Sequence, residues 1–138
     1  MATIVQQIDV ACDAATAWDA VRDVGALHRQ LAPGMITDCV IVADTVPVVR
    51  LVTFADGMQL RETIVASDDV AHRLVWKIDD AMVEHHNGSL QVTAQGVGAC
   101  RVVWIADVLP DTLATPFGAL MQAGLATMAA TLGRAAAI

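Results

Sequence analysis

The sequence predicts an α+β fold, an antiparallel sheet of seven strands with one long C-terminal helix and two short helices after strand 1. Three observations carry this. Six runs between Met35 and Val108 are bounded by turn residues and have strand-like alternation. A seventh such run opens the chain. From Pro116 onward the apolar residues recur at helical spacing.

Residues 3–12 alternate Ile4, Gln6, Ile8 and Val10 against Val5, Gln7 and Asp9, and read as the first strand. Asp13 stands where it can cap a short helix, AATAWDAVRDV, with Trp18 and Val21 on one face. Gly25 interrupts, and a second short helix, ALHRQLA, stops at Pro33-Gly34. The following strands are expected at about 35–43, 47–55, 58–66, 72–79, 86–95 and 99–108.

Asp56-Gly57 is the strongest hairpin signal. A two-residue turn there pairs Thr53 with Leu60, Leu51 with Glu62 and Val49 with Ile64. Directly paired residues share a face. Val49, Leu51, Thr53, Leu60, Glu62 and Ile64 then lie inward, and Arg50, Gln59, Arg61 and Thr63 outward. The same parity turns Trp76, His86, Leu90 and Trp104 inward and His85 outward. Pro110 ends the last strand, Asp111 or Thr115 can cap, and Pro116 suits a first helical turn. Phe117, Leu120, Met121, Gly124, Leu125, Met128, Leu132 and Ala135 form one helical face. Ala119, Ala126 and Ala130 lie on the opposite, small-residue face.

Composition narrows the function classes. The 138 residues are 56% hydrophobic and 17% charged, enough for a substantial core in one domain spanning 1–138. Eight Lys plus Arg against fifteen Asp plus Glu give a formal charge of −7. With no basic stripe to neutralise phosphates, nucleic acid is not an expected partner, and an anionic membrane surface is equally disfavoured. Cys12, Cys39 and Cys100 have neither CxxC spacing nor an even count and read as reduced thiols of a cytoplasmic protein. The first residues lack the pattern of a signal peptide. The sequon Asn87-Gly88-Ser89 therefore reads as chance. The uncharged stretch between Asp111 and Arg134 is long enough for a membrane span, but its Ala, Gly, Thr and Gln122 insert weakly, so it reads as a buried helix.

Two segments carry a family resemblance. CDAATAWDAVRDVGALHRQLAPGM resembles the aspartate-capped helix with an inward Trp of the START/Bet v 1-like (SRPBCC) superfamily, which includes the polyketide cyclase/dehydrase and lipid transport-like proteins. FADGMQLRETIVASDD resembles its glycine turn, Glu-containing strand and acidic loop. HHNGSLQV and VVWIADVLPD look like segments of bacterial members. The resemblance covers essentially the whole chain. It implies a helix-grip fold, in which a curved seven-stranded sheet wraps the C-terminal helix around an apolar pocket. No catalytic motif of a named member maps onto these residues, and one scaffold in that superfamily serves several functions.

Within such a pocket Glu62 stands out, because a carboxylate on an apolar face must be paired, hydrogen-bonded or neutralised. It is a candidate general acid or base, a ligand anchor, or half of a salt bridge with an arginine near the rim. His86 is its candidate partner for proton transfer, or else a core histidine satisfied by backbone. The expected pocket residues are Leu51, Thr53, Leu60, Glu62, Trp76, His86, Leu90, Trp104, Phe117, Met121 and Met128, with Met58 on a facing surface. Flat Trp and flexible Met suit an adaptable apolar site, although ordinary core packing explains any one of them.

No metal or cofactor is expected. His85 and His86, adjacent on a strand, point to opposite faces, and His28 and His72 lie at no ligand spacing. No GxSxG elbow or phosphate loop occurs, and Tyr is absent. The expected function is therefore binding of a small hydrophobic molecule. The alternatives are a cyclase- or dehydratase-like enzyme using Glu62 and His86, and a module that dimerises through the alanine face. A monomer or weak homodimer is expected.

Overall fold

The computed structural model describes residues 1–137 and has seven strands in one antiparallel sheet. β1 (Ala2–Val10) is followed by α1 (Ala14–Arg22), a 3-10 turn and α2 (Leu27–Gln30). Then come β2 (Ile36–Ile41), β3 (Val49–Phe54), β4 (Gln59–Asp68), β5 (Arg73–Ile78), β6 (His85–Ala94) and β7 (Cys100–Leu109), and finally α3 (Ala114–Ala136). The sheet order is β1-β7-β6-β5-β4-β3-β2, so five successive hairpins run from β2 to β7 and β1 closes on the far side of β7. This is the helix-grip architecture, the curved sheet holding the long helix against its inner face.

Strand alternation becomes burial directly. Along β7, Cys100, Val102, Ala106 and Val108 are buried while Ile105 is exposed. On α3 the side chains facing the sheet are Phe117, Met121, Leu125, Met128 and Leu132, all buried, and Gly124 lies among them. Ala135, placed on this face by periodicity, is exposed, as are Ala119, Ala126 and Ala130 on the opposite face. Cys12, Cys39 and Cys100 are buried free thiols. No helix among the described residues is long and apolar enough to cross a membrane.

The helix starts differ from expectation. Asp13 occupies the N-cap of α1 and its carbonyl receives the Ala17 N–H, but its carboxylate accepts from the backbone N–H of Gly98 instead. It ties α1 to the β6–β7 turn rather than capping. Neither Asp111 nor Thr115 caps α3, which is entered from a 3-10 turn over Asp111–Leu113 with no side-chain cap.

The β3–β4 turn holds the main correction. Phe54, not Ala55, pairs with Met58: the Phe54 N–H donates to the Met58 carbonyl at 2.8 Å. The loop is therefore the three residues Ala55-Asp56-Gly57, closed by Gly57 at φ +88°, where glycine bears no steric cost, and by Asp56 Oδ1 accepting from the Met58 N–H. One extra loop residue moves β3 by one place. Arg50 faces Glu62 and Val52 faces Leu60, so Arg50, Val52 and Phe54 point inward. Leu51 and Thr53, expected inside, belong to the outer face opposite Arg61 and Gln59. Because β4 keeps its own alternation, Glu62 is inside as expected. Beyond Ile64 a bulge inserts Val65, which is exposed.

Candidate functional site

Between the concave sheet, α3 and the α1–α2 segment lies a cavity of about 90 Å³. The sheet supplies Val52, Leu60, Leu74, Trp76, Leu90 and Trp104, and α3 supplies Phe117, Leu120, Met121 and Met128. Val21, Leu27, Leu31 and Met35 complete the wall on the third side. Nine of the eleven pocket residues expected from sequence are brought together here. Leu51 and Thr53 are not, for the register reason above, and Met58 is 37% exposed outside the cavity.

The polar groups in this chamber form one row across the sheet. Arg50 on β3 pairs with Glu62 on β4, Glu62 with Ile78 on β5, and the Ile78 N–H donates to Nδ1 of His86 on β6 at 3.1 Å. All three polar side chains are buried. Arg50 Nε lies 2.8 Å from Glu62 Oε1, and Arg50 Nη1 donates to the Val24 carbonyl at 3.1 Å. The guanidinium also stands 5.9 Å from the Trp76 ring centroid, within cation–π range. The carboxylate is thus neutralised by Arg50 and not by His86. The expected Glu62–His86 pair is absent, and the arginine alternative holds, with the arginine buried instead of at a rim. Sequence reasoning missed Arg50 because a charged residue was assigned outward. The signal that could have found it is the opposite charge of Glu62, which lets both enter together.

His86 is satisfied by backbone. Since Nδ1 accepts the Ile78 N–H, the neutral ring carries its proton on Nε2, the nitrogen farther from the main chain. The ring packs 5.7 Å from that of Phe117. Desolvation, helped by neighbouring His85, lowers its pKa from 6.5 to about 4. Between those values the unfolded chain binds a proton that the folded chain refuses. His86 therefore costs no stability above about pH 6.5 and an increasing amount as pH falls toward 4. The expected result is that wild-type stability falls more steeply than that of His86→Gln over this window. Denaturant unfolding of both proteins at pH 7, 5.5 and 4.5 measures it, and parallel curves would remove His86 as the cause.

The aromatic wall depends on small residues. Trp76 and Trp104 pack at 5.6 Å between centroids with planes tilted 57°. A Cβ on Gly88 would lie 3.2 Å from Trp76, and one on Gly124 would lie 3.1 Å from Trp104, so each glycine leaves room for an indole. The donors differ. Trp18 gives its N–H to Asp69 at 2.9 Å, whereas the buried Trp104 N–H has no acceptor. Leaving such a donor unpaired costs about 1–3 kcal/mol. No group of three or more His, Cys, Asp or Glu among the described residues is arranged to hold a metal.

A hairpin sheet gripping a helix over an apolar chamber is the helix-grip class of fold, and sequence comparison identifies the family. The profile of the family described as polyketide cyclase / dehydrase and lipid transport matches residues 1–136. The chain belongs to that family. Among curated proteins none matches by sequence. The fold is similar to that of an uncharacterised protein from Bacillus thuringiensis (TM-score 0.83, 16% identity, covering 95% of this chain and 98% of that one). A protein from Thermobifida fusca has 28% identity and a TM-score of 0.78, over 97% of this chain and 95% of that one. Norcoclaurine synthase from Thalictrum flavum, in complex with a transition-state analogue, has a TM-score of 0.71 and 20% identity, over 99% of this chain and 94% of that one.

Proposed function

We propose that the chain binds a small, predominantly apolar molecule in this cavity, with the Arg50–Glu62–His86 row fixing a polar group at one end. The supporting observation is that row: a charged pair and a neutral imidazole buried together in an otherwise apolar chamber. A buried ion pair is at best a weak source of stability compared with packed apolar side chains. A ligand's carbonyl, phenol or carboxyl group gives the row a task. The apolar body of the ligand would lie against Trp76, Met121 and Met128, where its burial drives binding.

Native mass spectrometry of freshly purified protein, followed by solvent extraction, tests the reading. The expected spectrum contains a bound small molecule that is lost on denaturation. Bare protein that also fails to bind added apolar aromatics saturably would contradict it.

A cyclase- or dehydratase-like reaction at the same row is the second reading. It is favoured by the proton on His86 Nε2, which can be shared with a substrate oxygen, while the Arg50–Glu62 ion pair lies two strands away in the same row. Turnover of an enolisable carbonyl compound that disappears in His86→Gln while binding persists would select this reading over simple carriage.

A further inference from the structure

The chamber as it stands is too small for an aromatic ligand. Its volume is about 90 Å³, whereas an apolar cavity that binds benzene measures roughly 150 Å³. A wall must therefore yield when a ligand enters, and burial shows which. Most of the lining is fully buried, and only Leu27, Met35, Phe54, Trp104 and Leu120 are half-buried. Three of these are held. Trp104 is wedged between Gly124 and Trp76, and Leu27 and Phe54 each pack against two of the hydrophobic clusters. Leu120 is branched and belongs to α3 itself. Met35 differs, because it crosses a gap. α3 packs on β1, β7 and α2, and Met35 reaches it from the turn before β2. Its Cε comes within 3.9 Å of the place a Cβ on Gly124 would take. The Met35 backbone is pinned, since its carbonyl accepts the Ala55 N–H at 3.0 Å and the Ile36 N–H donates to the Ala32 carbonyl at 2.9 Å. The unbranched thioether beyond Cβ changes rotamer at little cost, so the side chain can swing while the turn stays in place.

We propose that Met35 is the movable wall of the chamber. A ligand enters between α3 and the α2–β2 turn as the Met35 side chain swings outward, and the room this side chain gives up sets the largest ring system admitted. This rests on reading the cavity as a ligand chamber. It adds a size limit and a route of entry, and it narrows the ligand class to single-ring aromatics such as simple phenols, with fused rings disfavoured.

Binding of 4-ethylphenol and of 2-naphthol to wild type and to Met35→Ala tests it. The variant lacks Cγ, Sδ and Cε, and should shift the affinity ratio about ten-fold or more toward 2-naphthol, the range for burying two further carbons. In wild type, the nuclear Overhauser contact between the Met35 methyl and the Gly124 α-protons should be present in the free protein and lost at saturation with 4-ethylphenol. Should Met35→Ala fail to fold, that wild-type contact decides. A ratio unchanged or reversed in Met35→Ala, or a Met35–Gly124 contact that persists in the complex, overturns the movable wall while leaving the chamber reading intact. Binding by Met35→Ala alone would make Met35 a fixed wall and overturns its movement. Binding of neither phenol to either protein overturns both readings.

Discussion

Glu62→Gln should destabilise the fold by about 3–5 kcal/mol, because it leaves the Arg50 guanidinium buried without its counter-charge. For a chain of this size that is a fall of roughly 10–20 °C in unfolding midpoint. Only 5% of the Arg50 side chain and 10% of the Glu62 side chain are exposed, so water cannot replace the lost partner. The double variant Arg50→Met/Glu62→Leu should recover most of the loss, since packed apolar side chains remove both desolvation penalties together. It should nevertheless weaken capture of any ligand with a polar end. Thermal and denaturant unfolding of the two variants give the comparison. Equal stability of Glu62→Gln and wild type would show that the pair is open to solvent.

Deleting the residues after Pro116 should abolish cooperative unfolding altogether. α3 contributes Phe117, Met121, Leu125, Met128 and Leu132 to the interior, with Met121 fully buried. Without them the concave face of the sheet loses its cover, and no other helix is long enough to replace it: α1 has nine residues and α2 four. A truncated protein with a sharp thermal transition would make α3 an appendage instead of half of the core. Circular dichroism against temperature distinguishes the two.

The fold was legible because period and punctuation agree. The strand alternation of Leu74, Trp76 and Ile78, and of Val102, Trp104 and Ala106, survives intact in the structure, as does the helical spacing of Phe117, Met121 and Met128. The site was legible wherever one strand's own alternation decided the matter, as for Glu62 and His86. It failed where the answer depended on loop length. Asp-Gly serves both two-residue and three-residue hairpin loops, and the choice reverses every side chain of β3 relative to β4. Charge then reinforced the wrong choice, since Arg50 looks like an outer residue until its cross-strand partner is known. Contributions from the α1–α2 segment, such as Val21, Leu27 and Leu31, depend on how that stretch folds back over the sheet. No local pattern encodes that.

The methionines provide the most direct test of an interior ligand site. Of six, Met35, Met121 and Met128 line the cavity, while Met1, Met58 and Met82 are exposed outside it. Protein labelled with ¹³C at the methionine methyls, titrated with a small apolar phenol such as 4-ethylphenol, reports on both sets at once. Saturable shifts should appear at Met35, Met121 and Met128, with Met58 and Met82 unmoved. Shifts at the exposed methionines alone, or none at any of them, would contradict the account.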